Sequence, residues 1–120
     1  RIISQASAAQ DPKWFTTAPI EAIKKVLTKV DLTVDDIDLW EINEAFAPVV
    51  MAVVDDYNLD YGKININGGA IALGHPIGAS GARILTTLIH SLNQKEKSLG
   101  LATICIGGGE ASAVIIERIN

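Results

Sequence analysis

Apolar residues recur along this chain in two rhythms. Ile20, Ile23, Leu27 and Val30 fall at helical spacing, with Glu21, Lys24, Lys25 and Lys29 on the remaining surface, which predicts a helix with one buried face. Thr16 and Thr17 are candidate caps for it, and Pro19 suits its first turn. A second helical stripe follows Ser80 through Ile84, Leu85, Leu88, Ile89 and Leu92, ending near the polar run Asn93 to Ser98. Between them, residues 43–57 (NEAFAPVVMAVVDDY) hold few polar residues before Asp55 and carry Pro48 in the expected first turn. That predicts a helix opening at Asn43 and buried on most sides. Thr33, with Asp36 three residues on, could cap a short helical turn.

Shorter β-prone runs lie between these helices. Arg1 to Ala9, Ile37 to Ile42, Leu99 to Ile106 and Ala113 to Ile119 each read as strands, and Lys63 to Ile66 reads as a short fifth one. The order β-α-β-α-β-α-β-β predicts one α/β domain over residues 1–120. Its sheet would be five-stranded and mostly parallel, with helices on both faces. The last strand would be antiparallel to its neighbour across the glycine turn Gly107 to Gly109. The chain shows no internal repeat, low-complexity segment or linker.

Composition narrows the function. A 48% hydrophobic share gives ample material for a core. The net charge of −4 comes without a basic cluster, which argues against nucleic-acid partners. No apolar run approaches the roughly 20 residues of a membrane span, and the start has no signal-peptide pattern. The single cysteine, Cys105, excludes an internal disulfide and fits a reducing compartment, so a cytoplasmic setting is expected. The chain begins at Arg1, already inside a strand-like run, as a piece cut from a longer protein would.

The chemistry concentrates around residues 65–83, NINGGAIALGHPIGASGAR. Such a density of glycine suits a backbone that turns sharply or admits close approach. His75 sits in its middle, held extended by the Pro76 that follows. Three polar groups fall where predicted strands hand over to loops: Asn43, His75 and Cys105. In open α/β sheets these carboxyl ends are where ligands bind. Each group has a plain alternative. Asn43 could cap the following helix, with Glu44 favouring its N-terminus. His75 could be a satisfied loop histidine, and Cys105 a small buried hydrophobe. The sharper reading makes Cys105 a thiol that exchanges protons with carbon, which needs its pKa lowered by His75 or by backbone N–H groups. The glycines after it would let N–H groups reach an oxyanion. His90, beside the second helical stripe, reads as structural or surface. Dinucleotide, phosphate-loop, nucleophile-elbow and zinc spacings are all absent.

Taken together, NEAF at 43–46, GGAIALGHPIGASGAR at 68–83 and CIGGG at 105–109 resemble the C-terminal domain of the thiolases. That family makes or cleaves 3-ketoacyl-CoA thioesters. The resemblance covers the whole chain but about the later third of a thiolase. It implies a thiolase-like half, in which His75 activates a nucleophilic cysteine and, with a water held by Asn43, stabilises an enolate oxyanion. It implies that Cys105 returns or removes the α-proton, that the Gly107 N–H serves a second oxyanion hole, and that Phe46 lines the thioester pocket. It also implies no cofactor beyond the coenzyme A thioester substrate, and a homo-oligomeric parent.

Two departures accompany the resemblance. Glu110 stands where the family often continues with glycine. The nucleophile-bearing N-terminal domain is missing, so the isolated chain is expected to be inactive and its apolar docking surface to self-associate. Two other readings compete. One is a non-catalytic thiolase-like module that binds acyl-CoA or scaffolds a partner. The other is a ketoacyl-synthase relative, which would carry histidine in place of Cys105.

Overall fold

A computed structural model describes residues 1–119. Four strands, β1 (Ile2–Ala9), β2 (Leu39–Ile42), β3 (Leu99–Ile106) and β4 (Glu110–Glu117), form one sheet in the order β1-β4-β3-β2. The helices are α1 (Ala18–Thr28), α2 (Ala47–Tyr57), the short α3 (Ala70–Leu73) and α4 (Ser80–Gln94).

The sheet separates two apolar layers because successive strand residues point to opposite faces. On one side Ile23 and Val26 of α1, with Val49 and Val53 of α2, bury against Trp40, Ile42, Leu101 and Ile115. On the other, Ile84, Leu88 and Leu92 of α4 bury against Leu39, Ala102 and Ile116. Helices on both faces and an α/β class are thus present as the alternation predicted. So is the antiparallel final strand, which pairs with β3 through its whole length.

Two expectations about the sheet are corrected. It has four strands and not five. The fifth fails at Lys63 to Ile66 because Tyr61–Lys63 closes a 3-10 turn, with Asp60 accepting from the Gly62 N–H, and only Ile64 bridges to Trp40. Asn65 then turns left-handed at φ 46°, a conformation asparagine tolerates. Its side-chain amide completes the β2 edge: Ile42 N donates to Asn65 Oδ1 and Asn65 Nδ2 donates to Ile42 O, both at 2.9 Å. One side chain stands where strand backbone was expected.

Nor is the sheet mostly parallel. Only β2 and β3 pair in parallel, whereas β4 pairs antiparallel with both β1 and β3. Three strands do run the same way, as alternating strands and helices require. The last strand, however, inserts between the first and third, so both its ladders are antiparallel. Element edges shift as well. α2 begins at Ala47, with Phe46 in the cap position, and β4 begins at Glu110 in place of Ala113. α3 was not expected.

The shared direction of β1, β2 and β3 brings their C-terminal ends to one edge, and the β3–β4 turn closes that edge. Gly109 has φ +94° there, and a Cβ on it would overlap the Gln10 carbonyl and the Pro12 backbone. Its own carbonyl accepts from Gln10 N at 3.0 Å, so the contact is fixed. Gly109→Ala should therefore cost on the order of 1–3 kcal/mol, seen as a lower urea midpoint. Gly78→Ala, at a site with open space around it, should shift stability by no more than about 0.5 kcal/mol.

Candidate active site at the strand ends

Asn43 directly follows β2, and its N–H donates to Thr103 O at 3.0 Å, so the ladder to β3 extends through it. Its side chain is completely buried. The helix-cap reading does not hold, because α2 starts beyond Phe46. Instead Asn43 Nδ2 lies 3.4 Å from His75 Nε2, and Asn43 Oδ1 accepts from Arg83 Nη2 at 3.4 Å.

His75 is carried by the loop between α3 and α4. Pro76 O accepts from Ala79 N at 2.7 Å and Ser80 N at 2.9 Å, tightening that loop into the start of α4. The buried Ser80 Oγ sits 2.6 Å from His75 Nδ1 and 3.1 Å from Pro76 O. Each ring nitrogen therefore has a side-chain partner, and the imidazole is held from both sides. His90 is exposed on α4.

Cys105 lies at the penultimate position of β3, buried and unpaired by any disulfide. Burial pushes its thiol pKa up, against a smaller downward pull from its own backbone. The proton-exchange reading needs that pKa lowered, and burial works the other way. A neutral thiol at rest is a proton donor, and it must be charged by a base before it can remove a proton.

His75, Cys105, Phe46 and Gly107 line one cavity of about 450 Å³, together with Phe15 and Ile77. Phe15 and Phe46 meet edge-to-face with centroids 6.1 Å apart. All five residues singled out from the sequence are thereby brought together, four on the wall and Asn43 behind His75. A larger cleft of about 790 Å³ surrounds Asp38, Lys63 and Lys97 at the start of β2. Asp38 there already accepts from Ser98 N and Leu99 N at 2.9 Å and pairs with Lys97 at 4.0 Å. Its charge is occupied in holding the start of β3.

Sequence reasoning missed the residues behind the wall. Ser80 holds His75, and Arg83 reaches Asn43 with Glu41 3.7 Å from its guanidinium. A readable signal existed: Arg83 stands in the first turn of a helix, where the dipole disfavours a cation, and Glu41 interrupts an apolar strand. Glu44 was expected to serve the helix after it. It accepts instead from Asn65 Nδ2 at 2.9 Å and Ile71 N at 3.0 Å, tying the end of β2 to the glycine loop. Gly69 must be glycine for this, since a Cβ there would overlap the Glu44 carboxylate.

Asparagine after β2, histidine on the glycine loop and cysteine at the end of β3 thus meet at one edge of an α/β sheet. The family model described as thiolase, C-terminal domain, matches residues 1–118, and the chain belongs to that family. The acetyl-CoA acetyltransferase of Escherichia coli K12 is 53% identical over all of this chain and 30% of the relative. The crystal structure of the Bacillus anthracis acetyl-CoA acetyltransferase matches at TM-score 0.97 and 46% identity, covering 99% of this chain and 30% of that one. Human mitochondrial 3-ketoacyl-CoA thiolase in complex with CoA matches at TM-score 0.97 and 44% identity, over 100% of this chain and 30% of that one. The chain thus spans about 30% of the length of the relatives it matches. Among the described residues no helix is long and apolar enough to cross a membrane.

Two tests follow from this geometry. Removing the Glu44 carboxylate (Glu44→Ala) leaves the Ile71 N–H without its acceptor. The N–H is exposed, so water replaces the acceptor, and hydrogen exchange at Ile71 should speed up by the equivalent of about 0.5–1.5 kcal/mol. The second concerns Glu41, whose pKa burial raises from 4.5 to about 7, with Arg83 pulling it down and Glu44 pushing it further up. The folded state then holds more protons than the unfolded one between those two values. Stability should fall as pH rises through that window, by on the order of 3 kcal/mol. Glu41→Gln should flatten the profile in urea titrations across the same range.

Proposed function

We propose that this chain supplies the C-terminal half of a thiolase active site, for reversible Claisen condensation and thiolysis of 3-ketoacyl-CoA. Acetoacetyl-CoA, made from two acetyl-CoA, is the first substrate to test. The observation that carries the reading is the single cavity that His75, Cys105, Gly107 and Phe46 share, with Asn43 behind His75.

In thiolysis, a cysteine thiolate from the remainder of the enzyme attacks the 3-keto carbon, and His75 is the base that takes its proton. The Cα–Cβ bond breaks, and its electron pair moves into the thioester enolate. His75 and a water on Asn43 stabilise the enolate oxygen, while Cys105 Sγ–H delivers the proton to the α-carbon. Burial keeps that proton on sulfur until the enolate forms. The Gly107 N–H faces the acyl-enzyme carbonyl, and incoming CoA thiol then takes the acyl group. Condensation runs the same steps backwards, with Cys105 as a thiolate base. No group beyond the CoA thioester takes part.

The apolar rim of the cavity, where Ile77 is 85% and Phe46 61% exposed, suits burial beneath the nucleophile-bearing domain, which would also dry the site. In this reading the parent is a homo-oligomer of fatty-acid metabolism. A reducing cytoplasm keeps its thiols free.

A chimera tests the proposal. This chain would replace the matching 30% of the E. coli relative. The chimera should thiolyse acetoacetyl-CoA, and His75→Ala or Cys105→Ser should each lower kcat by about 10²–10⁴-fold. Full activity in either variant would refute the assigned roles. The purified 120-residue chain should show no CoA-dependent cleavage; cleavage by it would overturn the two-part site.

A further inference from the structure

Behind the cavity wall runs a chain of polar contacts: Glu41 Oε2 to Arg83 Nη1 at 3.7 Å, Arg83 Nη2 to Asn43 Oδ1 at 3.4 Å, Asn43 Nδ2 to His75 Nε2 at 3.4 Å, and His75 Nδ1 to Ser80 Oγ at 2.6 Å. Most of its members can point either way. A hydroxyl both donates and accepts, so Ser80 can take the Nδ1 proton while giving its own to Pro76 O, or give its proton to a bare Nδ1. An imidazole exchanges donor and acceptor with its tautomer. An amide does so by turning over. Only the guanidinium is donor-only at every nitrogen. At the far end the Pro76 carbonyl can only accept, and it takes the Ser80 proton at 3.1 Å, but Ser80 can forgo that bond, so the donor-only guanidinium is the fixed point for Asn43.

We propose that Arg83 is a positioning residue that selects the tautomer of His75 through Asn43. Its donor compels Asn43 to present Oδ1 towards α4 and Nδ2 towards the imidazole. An N–H aimed at Nε2 requires a lone pair there, so the proton resides on Nδ1 and is given to Ser80. Nε2, on the Asn43 side, is left as the basic nitrogen. Turned over, Asn43 would offer its oxygen and draw the proton to Nε2, removing the base.

The location of Arg83 agrees with such a duty. It occupies the helix turn least favourable to a cation, and among the described residues its buried Nε and Nη1, like Glu41 Oε2, make no hydrogen bond. Here the one hydrogen bond made is the one that orients Asn43. The catalytic consequence rests on the thiolase reading above; the tautomer assignment does not.

The test is ¹⁵N NMR of the imidazoles in the 120-residue chain, with His75 told from exposed His90 by His90→Gln. The neutral wild-type ring should show a protonated Nδ1 and a bare Nε2. Arg83→Met is paired with Glu41→Gln so that no unpaired carboxylate is buried, and the neutral ring should then populate both tautomers. Asn43→Asp, which is acceptor-only on both oxygens, should move the proton onto Nε2 whatever Arg83 does. A wild-type ring protonated on Nε2 would overturn the proposal. So would a double variant that keeps the single Nδ1-protonated form, or an Asn43→Asp ring whose Nε2 stays bare. Should the double variant fail to fold, Arg83→Gln with Glu41→Gln replaces it: its amide can offer Asn43 either an oxygen or a nitrogen, both tautomers are again expected, and a single Nδ1-protonated form would overturn the proposal. An inactive wild-type chimera would sink the thiolase reading while leaving these spectra valid. An insensitive spectrum would sink the positioning role while leaving the activity intact.

Discussion

A fully buried amide at the end of β2 constrains much of this structure. Asn43 is shut off from bulk solvent, and a buried amide left unpaired costs free energy on the order of 1–3 kcal/mol. Its partners come from two places far apart in the chain, a histidine on the glycine loop and an arginine on α4. For both to arrive, the loop must leave the sheet edge, turn, and launch α4 across the opposite face. Residues 65–83 perform that excursion, and Glu44 and Asn65 pin its base to β2.

The same edge accounts for the contrast between the two chemical groups. His75 is held at both nitrogens by polar partners, while Cys105 is enclosed by apolar neighbours at the end of β3. Burial that raises the thiol pKa keeps a proton on sulfur. One cavity thus offers a ring in a polar cradle and a protonated thiol on an apolar wall. The two groups sit in different environments a short way apart on one wall. The proposed thioester enolate chemistry asks for such a pair, one group to handle a thiol and another to serve carbon.

Much of the architecture was legible because burial imposes periodicity. Ile23, Leu27, Leu88 and Leu92 announced their helices, and Leu99 to Ile106 its strand. The candidate site residues stood out in the sequence for a different reason. Asn43, His75 and Cys105 all stand at strand-to-loop junctions or among glycines, where a stability role alone does not demand those residue types. What escaped notice depends on long-range placement. Nothing local reveals that β4 inserts between β1 and β3, which turns a parallel expectation into antiparallel ladders. Nor does a window over Lys63 to Ile66 show that Asn65 replaces strand backbone with its side chain. Ser80 and Arg83 were hidden because their value lies in residues they touch only after folding.

The central claim is that Cys105 moves a proton to and from the α-carbon of a thioester at this edge. Solvent deuterium exchange into the acetyl group of acetyl-CoA measures that step without any carbon–carbon bond being made or broken. In the chimera with the E. coli relative, the account predicts ready incorporation that falls by about 10²-fold or more in Cys105→Ala. Undiminished incorporation in Cys105→Ala would contradict it.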